Sequence, residues 1–386
     1  MSNTFCILPW IHMYINADGS ALPCCIGNYR NSLGNVQDST VEEIWNNEEY
    51  KKLRYNMING IRSPHCEHCY ISEDSSGNSP RQDFNKKFEK YEFLKEFTHQ
   101  DGYLEKMDLK YLDIRWSNIC NLKCRTCCST FSSSWAKEDG DKNVYIFAGG
   151  NSNDELYRQF EPHFTSVEEF YFAGGEPLLT DKHYDILERL IDLGKTNVKL
   201  RYNTNLTKLK FKNKNVLDLW KYFENVEIFA SLDHYGTKAE YIREGTNWKR
   251  IEENIKEIKE VTPHVALNTN TVVSVLNVFT ITDFFEYMIE NNIAGNNYEP
   301  TMYCLIEPEF YSFSVLNDNL KQKIIDKLRK RNFGRTVNDR IDDVILNLEN
   351  TKFDKQLRNE FLKQTALYDK KRNRDFWSTF PELKYI

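Results

Sequence analysis

Nine of the ten cysteines fall before residue 130, and they fall in groups. Cys120, Cys124 and Cys127 have the spacing C-x3-C-x2-C. Three thiolates on so short a loop can each hold one iron of a [4Fe–4S] cluster, which leaves the fourth iron without a protein ligand. An open coordination position separates a catalytic metal from a structural one. Zinc at this triplet would need a second C-x2-C or a His pair nearby, and neither follows Cys127 at a suitable distance. Cys128 adjoins Cys127, but the spacing favours Cys127 as the third ligand. Upstream, Cys6 is followed by twelve residues, Gly19, four more residues and Cys24, and Cys66 and Cys69 form a C-x2-C pair. Four thiolates arriving in two pairs can fully ligate a second cluster or a zinc ion. Cys25 is an alternative to Cys24. His12, His65 and His68 are available to zinc but read better as core or solvent-facing residues.

These groups need elements to position them. Residues 73–81 have the composition of a flexible linker, and 83–99 carry helical spacing. From about residue 110, short β-prone runs alternate with longer helical ones. The strands are expected at 111–116, 168–172, 198–202, 227–232, 265–273 and 298–305, with helices near 181–194, 213–223, 248–260 and 278–292. Such alternation implies parallel strands with right-handed crossovers. The expected fold class is α/β: a partial (β/α)6 TIM-like barrel, with a small N-terminal cluster-binding module and a helical C-terminal segment. Expected boundaries are 1–80 for the module, 81–109 for a helical linker, 110–310 for the barrel and 311–386 for the C-terminal helices. Sites in such folds lie at the C-terminal ends of the strands. The cysteine triplet follows the first expected strand directly.

Composition narrows the class. The chain is 40% hydrophobic and 28% charged, enough apolar residue for a sizeable core. The net charge of -6 argues against duplex nucleic acid as a partner. No apolar run approaches a bilayer-crossing length, and the N-terminus lacks the pattern of a secretory signal. A soluble cytoplasmic protein is expected, in which clustered thiols bind metal rather than form disulfides.

The triplet resembles the signature of the radical S-adenosylmethionine (SAM) superfamily, and further segments resemble its SAM-binding motifs in the right order. Gly174, Gly175, Glu176 and Pro177 match the family's GGEP segment, implied to meet the SAM amino group. Thr204 and Asn205 resemble its Thr-Asn segment after the third strand. Ser231 and Asp233 resemble its S-x-D strand end, and Arg243 is implied to hold the SAM carboxylate, as a guanidinium fork suits one. The residue before Cys127 is Thr126 where relatives carry an aromatic, and His234 stands where many carry Gly. Residues 6–69 resemble the auxiliary-cluster modules called SPASM and twitch domains. Those modules commonly follow the barrel, and here the pattern precedes it. With Ser75 and no further cysteine until Cys120, one auxiliary cluster on Cys6, Cys24, Cys66 and Cys69 is implied.

The resemblance implies two [4Fe–4S] clusters, SAM, and an electron donor such as a flavodoxin or ferredoxin. It implies reductive cleavage of SAM to a 5′-deoxyadenosyl radical and hydrogen abstraction from a peptide or protein side chain, the auxiliary cluster transferring electrons. One alternative is dehydrogenation or epimerisation of a carbohydrate or nucleotide-linked small molecule. The other is a non-enzymatic iron–sulfur or zinc scaffold or redox sensor. Cys304, at the end of the last expected strand, is a candidate catalytic residue that would return hydrogen to substrate, against the commoner role of a buried structural cysteine. Eight Lys or Arg lie between 195 and 221, a solvated face or an attraction for an acidic substrate.

Overall fold

A computed structural model of the chain describes residues 3–293, 300–384 and 386. It has two compact units, one of Met1–Cys120, Gly140–Tyr202 and Lys210–Val226, the other of Asn121–Asp139, Asn203–Leu209 and Glu227–Ile386.

In the first unit β1 (His12–Ile15), β2 (Ser20–Leu22) and β3 (Gly34–Asn35) come from the N-terminal region. They are followed by β4 (Tyr111–Ile114), β5 (Glu169–Phe172) and β6 (Lys199–Thr204). β4, β5 and β6 are successive parallel neighbours. β1 lies parallel to β4, with His12 opposite Tyr111 and Ile15 opposite Ile114, and β2 and β3 add antiparallel strands beyond it. The N-terminal region therefore extends the sheet. Residues 73–81, whose composition predicts a linker, are structured: the helix Glu67–Ser76 stops at left-handed Gly77, and the next helix begins at Pro80. Pro at the first helical position and the Glu73–Arg81 ion pair give that segment its order.

Side chains alternate across a strand, and the two faces of this sheet differ in kind. Leu112, Ile114, Phe170, Phe172, Leu200 and Tyr202 share the apolar face. It packs on the helix Asp181–Asp192, which buries His183, Ile186, Leu187 and Leu190 at helical spacing. Rings meet there at close range, Phe172 stacked on Tyr202 at 4.9 Å and Tyr202 edge-on to Trp220 at 5.2 Å. The opposite face is polar. Tyr14, Asp113, Tyr171 and Arg201 form one row across four strands, set by the register of neighbouring pairs. Asp113 is fully buried and paired with Arg115 at 2.9 Å. Burial pushes its carboxyl up to about 6 despite that guanidinium.

The second unit repeats the pattern. β7 (Asn225–Ser231), β8 (Ala266–Val273) and β9 (Thr301–Cys304) are parallel. The helix Trp248–Val261 lies between the first two in sequence and Ile281–Glu290 between the last two. The last expected strand begins at 298, and its first two residues fall outside the described ones. Helices Asp318–Leu328, Arg335–Asn350 and Lys355–Arg372 form the C-terminal segment. Three parallel β–α steps in each unit supply the repeats of a partial (β/α)6 fold of mixed α/β class. Among the described residues, no helix is long and apolar enough to cross a membrane.

Candidate active site

Cys6, Cys24, Cys66 and Cys69 line one pocket of the first unit, its other walls including Leu8, Ile26, Met57 and Phe84. Each thiol arrives on a short rigid piece. Cys6 precedes the helix Leu8–Ile11, Cys24 follows β2, and Cys66 and Cys69 lie at the junction of the turn Pro64–Cys66 with the helix Glu67–Ser76. The flanks of Cys6 are pinned from the helix Pro80–Lys87: Arg81 Nη1 and Asn85 Nδ2 donate to Phe5 O at 2.6 and 2.8 Å, and Asn85 Oδ1 accepts from Ile7 N–H at 2.8 Å. Burial pushes the Cys6 thiol up to about 12 and raises Cys24 and Cys66 well above the ordinary range, and the neighbouring thiols add to the effect. A buried set of this kind becomes thiolate when a metal centre supplies the opposing charge. Among the described residues no three His, Cys, Asp or Glu close on a point as around one ion; these four thiols stand around a pocket wall. One thiol for each iron of a cluster fits that placement.

The structure separates Cys24 from Cys25. Cys24 lines the pocket with Cys6 and Cys66, and Cys25 does not. The neighbours of Cys25 are Asp113, Arg115 and Arg201, on the polar face of the sheet, and burial leads the forces that push its thiol up to about 11. His65 is occupied by Asn31 O at 2.7 Å. His12 is a core residue, stacked on Tyr111 at 4.5 Å and bound at Nδ1 to Tyr111 O, and burial lowers it to about 4.

The loop with the second thiol set runs out of β4. Cys120 ends the first unit's stretch, and Cys124 and Cys127 belong to the second. On the first unit's side, the predicted Gly174–Pro177 segment holds the backbone that leads to Cys120. Gly175 N–H donates to Ser117 O at 3.3 Å and Glu176 N–H to Ile119 O at 2.7 Å. A Cβ on Gly175 would lie 2.3 Å from Ile119 O, and Gly174 has a φ of +122°. Both glycines are thus required by close approach and by backbone conformation. The Glu176 carboxylate accepts from Leu178 N–H at 3.1 Å and caps the short turn that Pro177 opens.

On the second unit's side, Asn205 Nδ2 donates to Asn121 Oδ1 at 3.1 Å, and Asn121 Nδ2 donates to Thr207 Oγ1 at 2.8 Å. Thr204 Oγ1 accepts from Leu206 N–H, completing that turn. Asn205 of the predicted Thr204–Asn205 pair therefore grips the residue after Cys120, and Thr204 shapes the turn that follows. Lys123–Cys124 forms a two-residue antiparallel ladder with Arg243–Glu244, Cys124 opposite Arg243. Trp135 Nε1 donates to Cys124 O at 2.7 Å, and Cys127 N–H closes a turn on the same carbonyl at 3.1 Å. Arg243 gives Nε and Nη2 to Asp233 at 2.8 and 3.1 Å and reaches Cys124 Sγ through Nη1 at 3.8 Å. Burial opposes its charge, but Asp233 and Cys124 more than offset that and raise its pKa. The Nε–Nη2 edge that best matches a carboxylate is already taken. Ser231 ends β7 opposite Asn270. Cys304 ends β9, and burial, then Asp343 of the helix Arg335–Asn350, push its thiol up to about 11.

Sequence patterns gave no role to the C-terminal helix, yet it touches this loop directly. Asp369 accepts from Arg125 Nη2 at 2.6 Å, from Tyr241 OH at 2.6 Å and from Phe376 N–H at 2.7 Å. Arg372 donates to Lys123 O at 3.0 Å, pairs with Glu138 at 2.7 Å and lies over the Trp135 ring at 4.5 Å. Both flanks of Cys124 are thereby held from residues about 245 positions away. A single sequence carries no signal for such partners, because Asp and Arg on a helix with lysine neighbours read as a solvated face.

Residues 114–287 match the radical SAM superfamily, and residues 6–70 match SPASM, an iron–sulfur cluster-binding domain. No curated protein matches. A solved structure described as native anSMEcpe with bound AdoMet and Cp18Cys peptide is similar at 17% identity and a TM-score of 0.39, over 57% of this chain and 59% of that one. The same protein with bound AdoMet alone gives 18% identity and 0.40, again over 57% and 59%. A structure of TYW1 with a lysine-pyruvate adduct bound gives 13% and 0.31, over 58% and 70%. The chain thus spans just under three fifths of the first of these structures.

Proposed function

We propose that this protein, which carries a radical SAM domain behind an N-terminal SPASM iron–sulfur domain, abstracts hydrogen from a peptide or protein side chain in SAM-dependent radical chemistry. The observation that carries the radical chemistry is the pairing of an open three-thiol loop at Cys120, Cys124 and Cys127 with a separate four-thiol pocket. The substrate class rests on the association of SPASM-type modules with peptide modification. When bound, a [4Fe–4S] cluster on the loop and SAM on its open iron supply a 5′-deoxyadenosyl radical.

Each residue then has a limited task. Cys120, Cys124 and Cys127 would each hold one iron. The backbone of Gly174–Pro177 and the hydroxyl of Ser231 are the proposed SAM contacts. Thr204, Asn205 and Asp233 act one step back, Thr204 by closing the turn at Leu206, Asn205 by fixing Asn121 and Asp233 by fixing Arg243. Cys6, Cys24, Cys66 and Cys69 would ligate the auxiliary cluster completely, so that its role is electron transfer rather than substrate binding. A strong reductant is needed, and a flavodoxin or ferredoxin is the proposed class of donor.

The test of substrate class is isotope transfer. Deuterated candidate peptides are incubated with the reconstituted enzyme, SAM and reductant, and 5′-deoxyadenosine is analysed by mass. Deuterium in that product supports the peptide reading. SAM cleavage without deuterium transfer from any peptide, but with transfer from a deuterated sugar or nucleotide-linked alcohol, overturns it in favour of a small-molecule substrate.

A further inference from the structure

The sulfur of Cys124 receives a hydrogen bond from a charged side chain, that of Arg243. That donor is a braced one. Arg243 sits opposite Cys124 in the short ladder, so its backbone position is fixed by the pairing. Its side chain is fixed by Asp233, which takes Nε and Nη2 and leaves Nη1 aimed at Cys124 Sγ, 3.8 Å away. Asp233 is fixed in turn: its Oδ1 accepts from Val272 N–H at 2.9 Å, and its own carbonyl accepts from Asn277 Nδ2 at 2.9 Å. The side chain of Asp233 is fully buried and that of Arg243 is 14% exposed. Such a chain of contacts holds one guanidinium proton at one sulfur with little freedom to relax.

We propose that Arg243, oriented by Asp233, sets the reduction potential of the SAM-cleaving cluster through its hydrogen bond to the sulfur of Cys124. The inference rests on the reading above in which Cys124 ligates that cluster. The physical argument is one of sign. Reduction adds one electron, and part of the added negative charge resides on the ligand sulfurs. A donor and a positive charge at such a sulfur stabilise the reduced state and raise the potential, as hydrogen bonds and net charge do at iron–sulfur sites generally. Asp233 is negative and lies behind the guanidinium, so it moderates that effect while it supplies the orientation. Arg243 is therefore a positioning and tuning residue, and changing it or Asp233 leads to opposite predictions. Removing the guanidinium lowers the potential, because Asp233 is then left without its counter-charge. Removing the carboxylate charge but keeping an acceptor oxygen, as Asp233→Asn does, raises it, because the amide oxygen still receives the guanidinium while no negative charge lies behind it.

The experiment is a mediator titration of the anaerobically reconstituted full chain, followed by electron paramagnetic resonance of the signal that changes when SAM is added. Wild type, Arg243→Gln, Arg243→Lys and Asp233→Asn are compared. The expected result is a fall in midpoint for Arg243→Gln and a rise for Asp233→Asn. Each is at least a tenfold change in the ratio of reduced to oxidised cluster at fixed potential, about 59 mV for a one-electron couple. Arg243→Lys falls between wild type and Arg243→Gln, since an ammonium keeps the charge but cannot fork to Asp233 and reach the sulfur at once. Midpoints that stay together in all variants overturn the inference. If Arg243→Gln fails to hold the cluster, Asp233→Asn decides alone, a rise supporting the proposal and no change refuting it. Cys124→Ala separates the two levels. A SAM-responsive signal that survives in Cys124→Ala overturns the ligand reading itself, whereas its loss alongside unmoved midpoints overturns only the tuning role.

Discussion

Asp369→Asn removes one charge, keeps the shape, and tests whether the C-terminal helix holds the triplet loop. In the structure three donors meet this carboxylate: Arg125 Nη2, Tyr241 OH and Phe376 N–H. The Arg125 side chain is 0% exposed and lies 3.9 Å from the centroid of Tyr241. Its other hydrogen bond described is to Tyr311 OH, at a long 3.4 Å. Breaking a buried ion pair by removing one partner costs about 3–5 kcal/mol, since the other charge stays buried. The amide oxygen of Asn still accepts one bond, so the lower end, about 3 kcal/mol, is expected. For a unit of 150–250 residues each kcal/mol moves the midpoint by about 2–4 °C, which gives a fall of roughly 6–12 °C for the unfolding step of the second unit. The measurement is calorimetry with iron analysis, repeated for Arg125→Met and the double variant. The double variant should lose less than the sum of the single changes, by more than about 1 kcal/mol. A change within about 0.5 kcal/mol for Asp369→Asn, or strict additivity in the cycle, would refute the idea that this pair clamps the loop.

Three other outcomes follow from the same geometry. Gly175→Ala places a Cβ against Ile119 O and should reduce iron at the triplet and SAM binding, while the auxiliary signal persists; equal iron in both proteins would contradict the close-approach argument. Cys24→Ser should lose the auxiliary cluster and Cys25→Ser should keep it, read by iron and sulfide content, since only Cys24 lines the thiol pocket. His183, which hydrogen-bonds Tyr202 OH at 3.0 Å, is held down to about 3 by burial. The unfolded chain takes up that proton near pH 6.5 and the folded chain does not, so its contribution is present above that pH and is lost as the pH falls toward 3, by a few kcal/mol in order of magnitude. His183→Gln should flatten the fall in urea midpoint between pH 6.5 and 4.5, and an unchanged slope would assign the acid sensitivity elsewhere.

The parts of the fold and site that the sequence made legible share a short-range cause. Strands at 169–172, 199–204 and 266–273 were expected within a few residues, because β-branched and aromatic runs are bounded by local turn signals. The triplet and the GGEP segment are local spacings. What stayed hidden is long-range. The parallel pairing of β1 with β4 joins residues 12–15 to 111–114, and composition alone cannot announce it. The order of residues 73–81 depends on Arg81 meeting Glu73, where polar and small residues suggested a linker. That Cys24, and not Cys25, lines the thiol pocket depends on the path of the chain after β2, and the grip of Asp369 and Arg372 spans most of the chain. Arg243 stood out in the sequence only by its motif, and its two hydrogen bonds to Asp233 are a property of the fold.

The central claim is that Cys120, Cys124 and Cys127 hold the cluster that cleaves SAM. Its most direct test is quantification of 5′-deoxyadenosine from the anaerobically reconstituted chain with SAM and a strong reductant, beside Cys120→Ala. Product from the wild type and none from the variant, with the auxiliary cluster intact in both, is the predicted result. Equal product from both proteins, or a wild-type chain that binds zinc and neither assembles a cluster nor binds SAM, would contradict it.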